Sequence, residues 1–503
     1  MHTAESLERN AFKYPKKVAV KDKNRTLTYQ ELYERASLLG NSLISMGISR
    51  GDKVAILFQN CVEFVEIHFA IQKIGCVSVP LNTRLAAAEL NYILNNSDAK
   101  ILFYDKEFEK KIASIRKKLK QLKYYVSAPD VDSLNSVPYE DLFKRQQQGR
   151  SEVAIDGNDE SLLLYTSGTT GTPKGVILTH MNTIWNTLSF LIAEPFYPND
   201  TTMIIPPLYH AAGLNSLLYT HIFVGATSIL LDKFDPIEVM ETMEREKVTN
   251  AFFVPTMFNV ILNLRNLDKY KIGKFRLFIN GAAILPVEQK HEILDKFTGA
   301  GFIDVYGLTE VSPIATVLNR ADSLVKTESV GKVLVTFHDR VISDDGTDVE
   351  ENQPGELLLK GPQVTKGYYK DPEKTASVIK DGWLHTGDIV RRDAEGFIYV
   401  VDRKKDMIIT GGENVYPAEV EAVLYRHPKI YEAAVIGVPD EKWGERVKAF
   451  IVLRPGEKAT DWEVMEFCRE YIASYKKPTI IEFVESLPRT ASGKVMKSEL
   501  RKK

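Results

Sequence analysis

Apolar and polar positions along the first third of the chain alternate between a helical and a strand rhythm. Thr28-Tyr-Gln-Glu31 has the form of a capping box, and Leu32, Ala36, Leu39 and Leu43 then fall on one helical face until Gly47 stops it. The apolar run Val54 to Phe58 predicts a buried strand. A second helix follows near Val62 to Lys73, then a strand from Cys76 to Val79 ended by Pro80. Strand–helix–strand repetition implies an α/β fold built on mixed, mainly parallel sheets. Residues 106–160 are charged and rich in Ser and Gln, and predict peripheral helix and loop. The α/β pattern then continues to about Leu318. From Val330 it gives way to short strands and turns at Gly346, Pro354-Gly355, Gly361-Pro362 and Gly367. The charge cluster Asp402-Arg-Lys-Lys-Asp406 separates apolar Phe397 to Val401 from apolar Met407 to Ile409. The last hundred residues carry strand and helix patterns of their own. The expected organisation is a large N-terminal domain over 1–402, with a β-rich subdomain at about 330–402. A small mobile α+β domain covers 403–503, and the hinge lies at 402–406.

Composition narrows the function classes. The 503 residues are 44% hydrophobic, so a large core is expected and global disorder is excluded. Sixty-five basic against 67 acidic residues leave a formal charge of −2, so no global field favours nucleic acid. Cys61, Cys76 and Cys468 have no metal or redox spacing and fit a reducing compartment, and the first ten residues lack a basic-then-apolar signal. A cytoplasmic protein is expected, as monomer or homodimer. Ile204 to Leu231 contains no Asp, Glu, Lys or Arg, but Pro206, Pro207, Gly213 and Gly225 interrupt it. It predicts a buried strand, a loop and a core helix, with at most peripheral membrane contact.

The most informative segment is Leu164 to Val176, LYTSGTTGTPKGV. After the apolar run Leu162 to Leu164, Gly168 and Gly171 permit tight turns whose N–H groups converge on one anion. Thr166, Ser167, Thr169, Thr170 and Thr172 add hydroxyls, and Lys174 adds a positive charge. The combination suits a polyphosphate. It is not a Walker A loop, because Pro173 precedes the lysine and Gly175 follows it.

Further signatures follow in order: Asn280-Gly-Ala-Ala283, Tyr306-Gly-Leu-Thr-Glu310, Trp383-Leu-His-Thr-Gly-Asp388, Gly411-Gly-Glu-Asn414 and Leu487-Pro-Arg-Thr-Ala-Ser-Gly-Lys494. With the opening loop, they make the chain resemble, over essentially its whole length, the adenylate-forming enzymes. That superfamily includes acyl-CoA synthetases, luciferases and nonribosomal-peptide adenylation domains. The resemblance implies an ATP-dependent acid–thiol ligase working in two half-reactions. A carboxylate attacks the α-phosphate of ATP, giving acyl-adenylate and pyrophosphate; the thiol of coenzyme A then displaces AMP.

The resemblance also implies roles. Lys494 would be the catalytic lysine, bridging the incoming carboxylate and the phosphate. Glu310, with Thr166, would hold Mg2+, which prefers one or two carboxylates plus phosphate oxygens. Thr309 would donate to the α-phosphate. The residues from Thr166 to Gly171, with Lys174, would cradle the phosphates, and Gly307 would follow the adenine-stacking Tyr306. Gly281, Ala282 and Ala283 would let backbone approach the base. Asp388 would accept from the ribose hydroxyls, and Arg403 would reach ribose or phosphate. Rotation about Lys405 would withdraw Lys494 and bring Gly411, Gly412 and Glu413 to the pantetheine channel. His210 would gate the acyl or thiol channel, its alternative being a satisfied core histidine.

The segments expected to select the acid are Tyr209 to Gly213, Phe253 to Phe258, Asn280 to Leu285 and Asp304 to Ile314. The first, within PLYHAAGLN, has no acid to pair with a substrate ammonium, which disfavours amino acids. A small-molecule monocarboxylic acid with an apolar body remains. A medium- or long-chain fatty acid is preferred, with an aryl acid as the alternative. A carrier-protein acceptor and a non-catalytic acyl-nucleotide sensor are the competing readings.

Overall fold

The computed structural model describes residues 1–129, 136–144, 153–166, 173–281, 285–404, 406–410, 413–440, 443–489 and 495–502. The chain divides into two compact units. One comprises Met1–His338 with Lys360–Leu384; the other comprises Asp339–Leu359 with His385–Lys503.

The first unit holds two large sheets. One runs Gly367–Tyr368, Lys174–Thr179, Glu160–Thr166, Val77–Pro80, Lys53–Leu57, Ala99–Asp105, Tyr124–Ala128 and Val137–Pro138. Its members from Glu160–Thr166 onward pair in parallel; the first two strands add antiparallel. The second sheet runs Lys332–Val333, Ile314–Leu318, Gly301–Gly307, Leu277–Gly281, Asn250–Phe253, Thr201–Ile204, Thr227–Leu230, Val18–Lys21 and Thr26–Thr28. Its centre is parallel, and Val18–Lys21 joins it by pairing Val20 with Ser228.

The helices follow the sequence pattern closely. Thr28 and Glu31 form the expected capping box, opening helix Tyr29–Ser45 with Leu32, Ala36, Leu39 and Leu43 buried. Helix Val62–Lys73 has the predicted bounds, and every residue from Phe64 to Gln72 is buried. A helix buried all round reads as nearly continuous apolar sequence. The acid- and lysine-free stretch yields strands Thr201–Ile204 and Thr227–Leu230 with helical residues from Ala212 to Val224 between them. Among the described residues no helix is long and apolar enough to cross a membrane.

One expectation needs correcting. The stretch 106–160 is not only helix and loop: Tyr124–Ala128 is a strand inside the first sheet, paired in parallel with Ala99–Asp105. Five residues preceded by Lys123 and ended by Pro129 give too short an apolar run to stand out, and burial of Tyr125 and Val126 against the sheet decides the conformation.

The second unit contains most of the strands His338–Ile342, Gly355–Lys360, Trp383–Arg392 and Ile398–Arg403, which belong to one small sheet. A second sheet orders Glu413–Val415, Ile408–Thr410, Gly444–Leu453 and Ile430–Asp440, with Ile480–Phe483 parallel to Gly444–Leu453. Helices Pro417–Tyr425 and Asp461–Tyr471 cover it through Val420, Leu424, Val464 and Cys468.

Candidate active site

The phosphate-type loop is the tip of an antiparallel hairpin. Glu160–Thr166 pairs with Lys174–Thr179 down to Thr166 opposite Lys174, so these two residues stand across from each other where the loop leaves and returns. Ser167, Gly168, Thr169, Thr170 and Gly171 lie outside the described residues. The Lys174 ammonium sits 5.9 Å from the ring centroid of Tyr368. Burial lowers its pKa and the neighbouring Lys374 lowers it further, against the opposing pull of Asp371 and Glu310. Lys174 at the hairpin mouth, with the Lys374 charge acting on it, favours an arriving anion.

The Tyr306-to-Glu310 segment leaves the second sheet at the end of strand Gly301–Gly307 and turns through Thr309–Val311. Its return is tight. A Cβ on Gly307 would stand 1.8 Å from the Pro313 carbonyl oxygen, so only glycine fits. Ser312, buried and at φ 76°, donates through its hydroxyl to the Gln363 carbonyl at 3.0 Å. Asn186, from helix His180–Ala193, donates to the carbonyls of Val311 (3.0 Å) and Ile314 (2.7 Å). The Glu310 carbonyl accepts from the Thr365 N–H at 2.8 Å, and its carboxylate Oε1 accepts from the Tyr368 hydroxyl at 2.8 Å. Glu310 and Lys174, far apart in sequence, therefore flank one tyrosine.

Gly281 ends its strand opposite Val305, the residue before Tyr306. A Cβ there would lie 2.9 Å from the Phe252 ring and 3.1 Å from Val305, which gives this corner an apolar lining. Ala282 and Ala283 lie outside the described residues. Behind the corner, Asp304 is committed elsewhere. It accepts from Lys290 Nζ at 2.6 Å and from Asn280 Nδ2 at 2.7 Å. Burial raises its carboxyl pKa against the pull of Lys290. His210 is exposed and precedes the helical residues from Ala212, so it is not the satisfied core histidine weighed as its alternative.

The remaining predicted residues belong to the second unit. Asp388 is buried, its own N–H donates to Thr386 Oγ1 at 3.1 Å, and it pairs across strands with Arg403. Glu413 opens strand Glu413–Val415. Lys405, Gly411, Gly412 and Lys494 lie outside the described residues. The segment carrying Lys494 is closed at its base by a bridge between Arg489 and Val495 and by the Met496 N–H on the Pro488 carbonyl at 2.7 Å.

Sequence reasoning missed Tyr368, Asn186 and the Lys290–Asp304 pair. Gly367 registers only as a turn signal, and nothing in a single sequence marks an asparagine that acts across 125 residues or a lysine that acts across 14.

The glycine-rich hairpin mouth, lysine and acidic turn match a family model described as AMP-binding enzyme over residues 7–369, and the C-terminal domain model of the same enzymes matches 419–494. The chain belongs to the AMP-binding enzyme family. It is an AMP-forming acid–thiol ligase, as the motifs implied. A feruloyl-CoA synthase of Amycolatopsis sp. is 37% identical over 98% of this chain and 97% of its own length. A long-chain-fatty-acid–CoA ligase of Bacillus subtilis is 35% identical over 98% of this chain and 92% of its own. Among solved structures, the o-succinylbenzoate–CoA synthetase of Bacillus subtilis in complex with ATP and magnesium ion superposes with a TM-score of 0.86 at 31% identity, covering 98% of each chain.

Proposed function

We propose that this ligase activates a monocarboxylic acid with an apolar body as its acyl-adenylate and transfers the acyl group to coenzyme A. Aryl acids stand ahead of the medium- and long-chain fatty acids. The feruloyl-CoA synthase is the more similar of the two relatives, and Phe252, Gly281 and Val305 offer a narrow aromatic-walled corner. The fatty-acid reading is carried by the Bacillus subtilis ligase. Amino acids remain disfavoured, because the buried Asp304 carboxylate behind this corner already faces Lys290.

The observation that carries the reading is the convergence of Lys174 and Glu310 on Tyr368. Lys174 and the loop from Thr166 would cradle the ATP phosphates, and Thr309 would donate to the α-phosphate. Tyr306 and Gly307 would flank adenine with Gly281, Ala282 and Ala283. The donor set fits Mg2+, a hard cation that binds through oxygen ligands. A single carboxylate, Glu310, supported by the Thr166 hydroxyl and substrate phosphate, is the arrangement this ion takes. When bound, it neutralises charge on the phosphates. Asp388 and Arg403 would hold the ribose. Lys494 would place a fixed positive charge where the transition state gathers negative charge, worth about 2.7–4 kcal/mol by analogy with an oxyanion donor. Gly411, Gly412 and Glu413 would serve thioester formation after rotation at Lys405, with His210 at the channel entrance and the domain boundary at 402–406.

Acid-dependent ATP–pyrophosphate exchange, run across benzoates, cinnamates and fatty acids of increasing length and followed by CoA consumption, tests the proposal. Aryl acids should give the highest kcat/KM; turnover confined to fatty acids would reverse the order, and no exchange with any acid would end the reading.

A further inference from the structure

We infer that Tyr368 is a positioning residue for the Glu310 carboxylate, so that its hydroxyl sets how tightly the ligase holds the metal–nucleotide complex. The inference rests on reading Glu310 as the metal-binding carboxylate. Tyr368 Oη donates to Glu310 Oε1 at 2.8 Å, which ties down one oxygen of a carboxylate that has two to offer.

The tyrosine itself has little freedom. Gly367–Tyr368 is a strand paired antiparallel with the hairpin, Gly367 opposite Ile177 and Tyr368 opposite Val176. The Tyr368 N–H donates to Thr375 Oγ1 at 2.9 Å. Gly367 sits at φ 128°, where a Cβ would lie 2.3 Å from Thr375 Cγ2. Two residues earlier, Thr365 donates its N–H to the Glu310 carbonyl and its hydroxyl to the Ile177 carbonyl. The segment 365–368 is thus bonded to the glutamate turn on one side and to the hairpin on the other. The ring lies under Lys174, so one side chain references both charges to the same backbone.

Groups that orient a metal ligand typically change metal affinity 10–100-fold when removed. Tyr368→Phe keeps the ring and deletes only the donor. It should raise the Mg2+ concentration for half-maximal pyrophosphate exchange by about tenfold. KM for the acid should stay unchanged. The readout independent of turnover is Mn2+ binding in the presence of ATP, followed by loss of the free-Mn2+ EPR signal, which should weaken by the same factor. Tyr368→Leu, lacking the ring as well, should show the same metal shift plus a higher KM for ATP. Unchanged Mn2+ affinity in Tyr368→Phe, or a shift found only in Tyr368→Leu, would overturn the inference. Wild-type protein that exchanges pyrophosphate but whose Mg2+ dependence is untouched by Glu310→Gln would also overturn it, while leaving the ligase reading in place. Absence of exchange in wild type would instead remove the functional reading itself.

Discussion

Three histidines in the first unit are buried as neutral rings, and mild acid should therefore destabilise it. His68 is pushed down to about 3 by burial. His180 is pushed down to about 3, mainly by burial and then by the adjacent His2 and His68, with Asp159 opposing. His221 is pushed down to about 4 by burial, against a bond to the Leu217 carbonyl. They occupy one polar seam and one helix. The Thr3 N–H donates to His180 Nδ1 at 3.2 Å, the Thr3 hydroxyl donates to Gln72 at 3.0 Å, and Gln72 donates to Ser78, which also contacts His68. An unfolded histidine titrates at about 6.5, so below that pH the unfolded chain binds protons the folded chain refuses. The stabilisation is complete above 6.5 and is lost as pH falls. At pH 5 the loss is about 1.5 × 1.36, or ~2 kcal/mol per histidine, hence about 6 kcal/mol for the three. Whole domains have only about 5–15 kcal/mol to lose. Asp105, Glu107 and Asp304, whose pKa values burial raises, take up protons in the folded state and offset part of this. Variants isolate the histidine contribution. Urea denaturation of wild type and of His68→Gln and His180→Gln, at pH 7.5, 6 and 5, should show each variant losing about 2 kcal/mol less over that range. Slopes equal to wild type would refute the neutral-ring account.

Gly307→Ala should abolish pyrophosphate exchange, because the added carbon meets the Pro313 carbonyl and displaces Thr309 and Glu310; a circular dichroism melt checks that folding survives. Lys290→Met should cost about 3–5 kcal/mol in urea denaturation, whereas the paired change Lys290→Met with Asp304→Leu recovers most of it, since a buried charge is costly chiefly when left alone. Lys494→Ala should remove exchange yet spare thioester formation from supplied acyl-adenylate, measured in two separate half-reaction assays. Lys405→Pro should do the reverse, sparing exchange and slowing thioesterification.

Local signals were legible and long-range ones were not. The capping box at Thr28, the helix from Val62 and the hairpin strands around the glycine loop could be read because each depends on neighbours close in the chain. The strand at Tyr124 could not, because it is stabilised by Ala99–Asp105 rather than by its own pattern. The same holds in the site. Lys174 and Glu310 stand out through their motifs. Tyr368 matters only because a two-residue strand returns nearly two hundred positions later to lie on the hairpin. The Lys290–Asp304 pair escapes for another reason: a lysine in a helix between charged neighbours reads as solvated, and only the packed structure shows it 1% exposed.

The pairing of Val20 with Ser228 has a consequence for biosynthesis. A strand made among the first few dozen residues has no neighbour on its parallel side until some two hundred more have left the ribosome, about 10–40 s at ordinary elongation rates. The hairpin waits almost as long for the two-residue strand at Gly367 that covers it. Nascent chains stalled short of residue 228 should accordingly recruit chaperones and be cut readily by protease, and those extended past residue 384 should not.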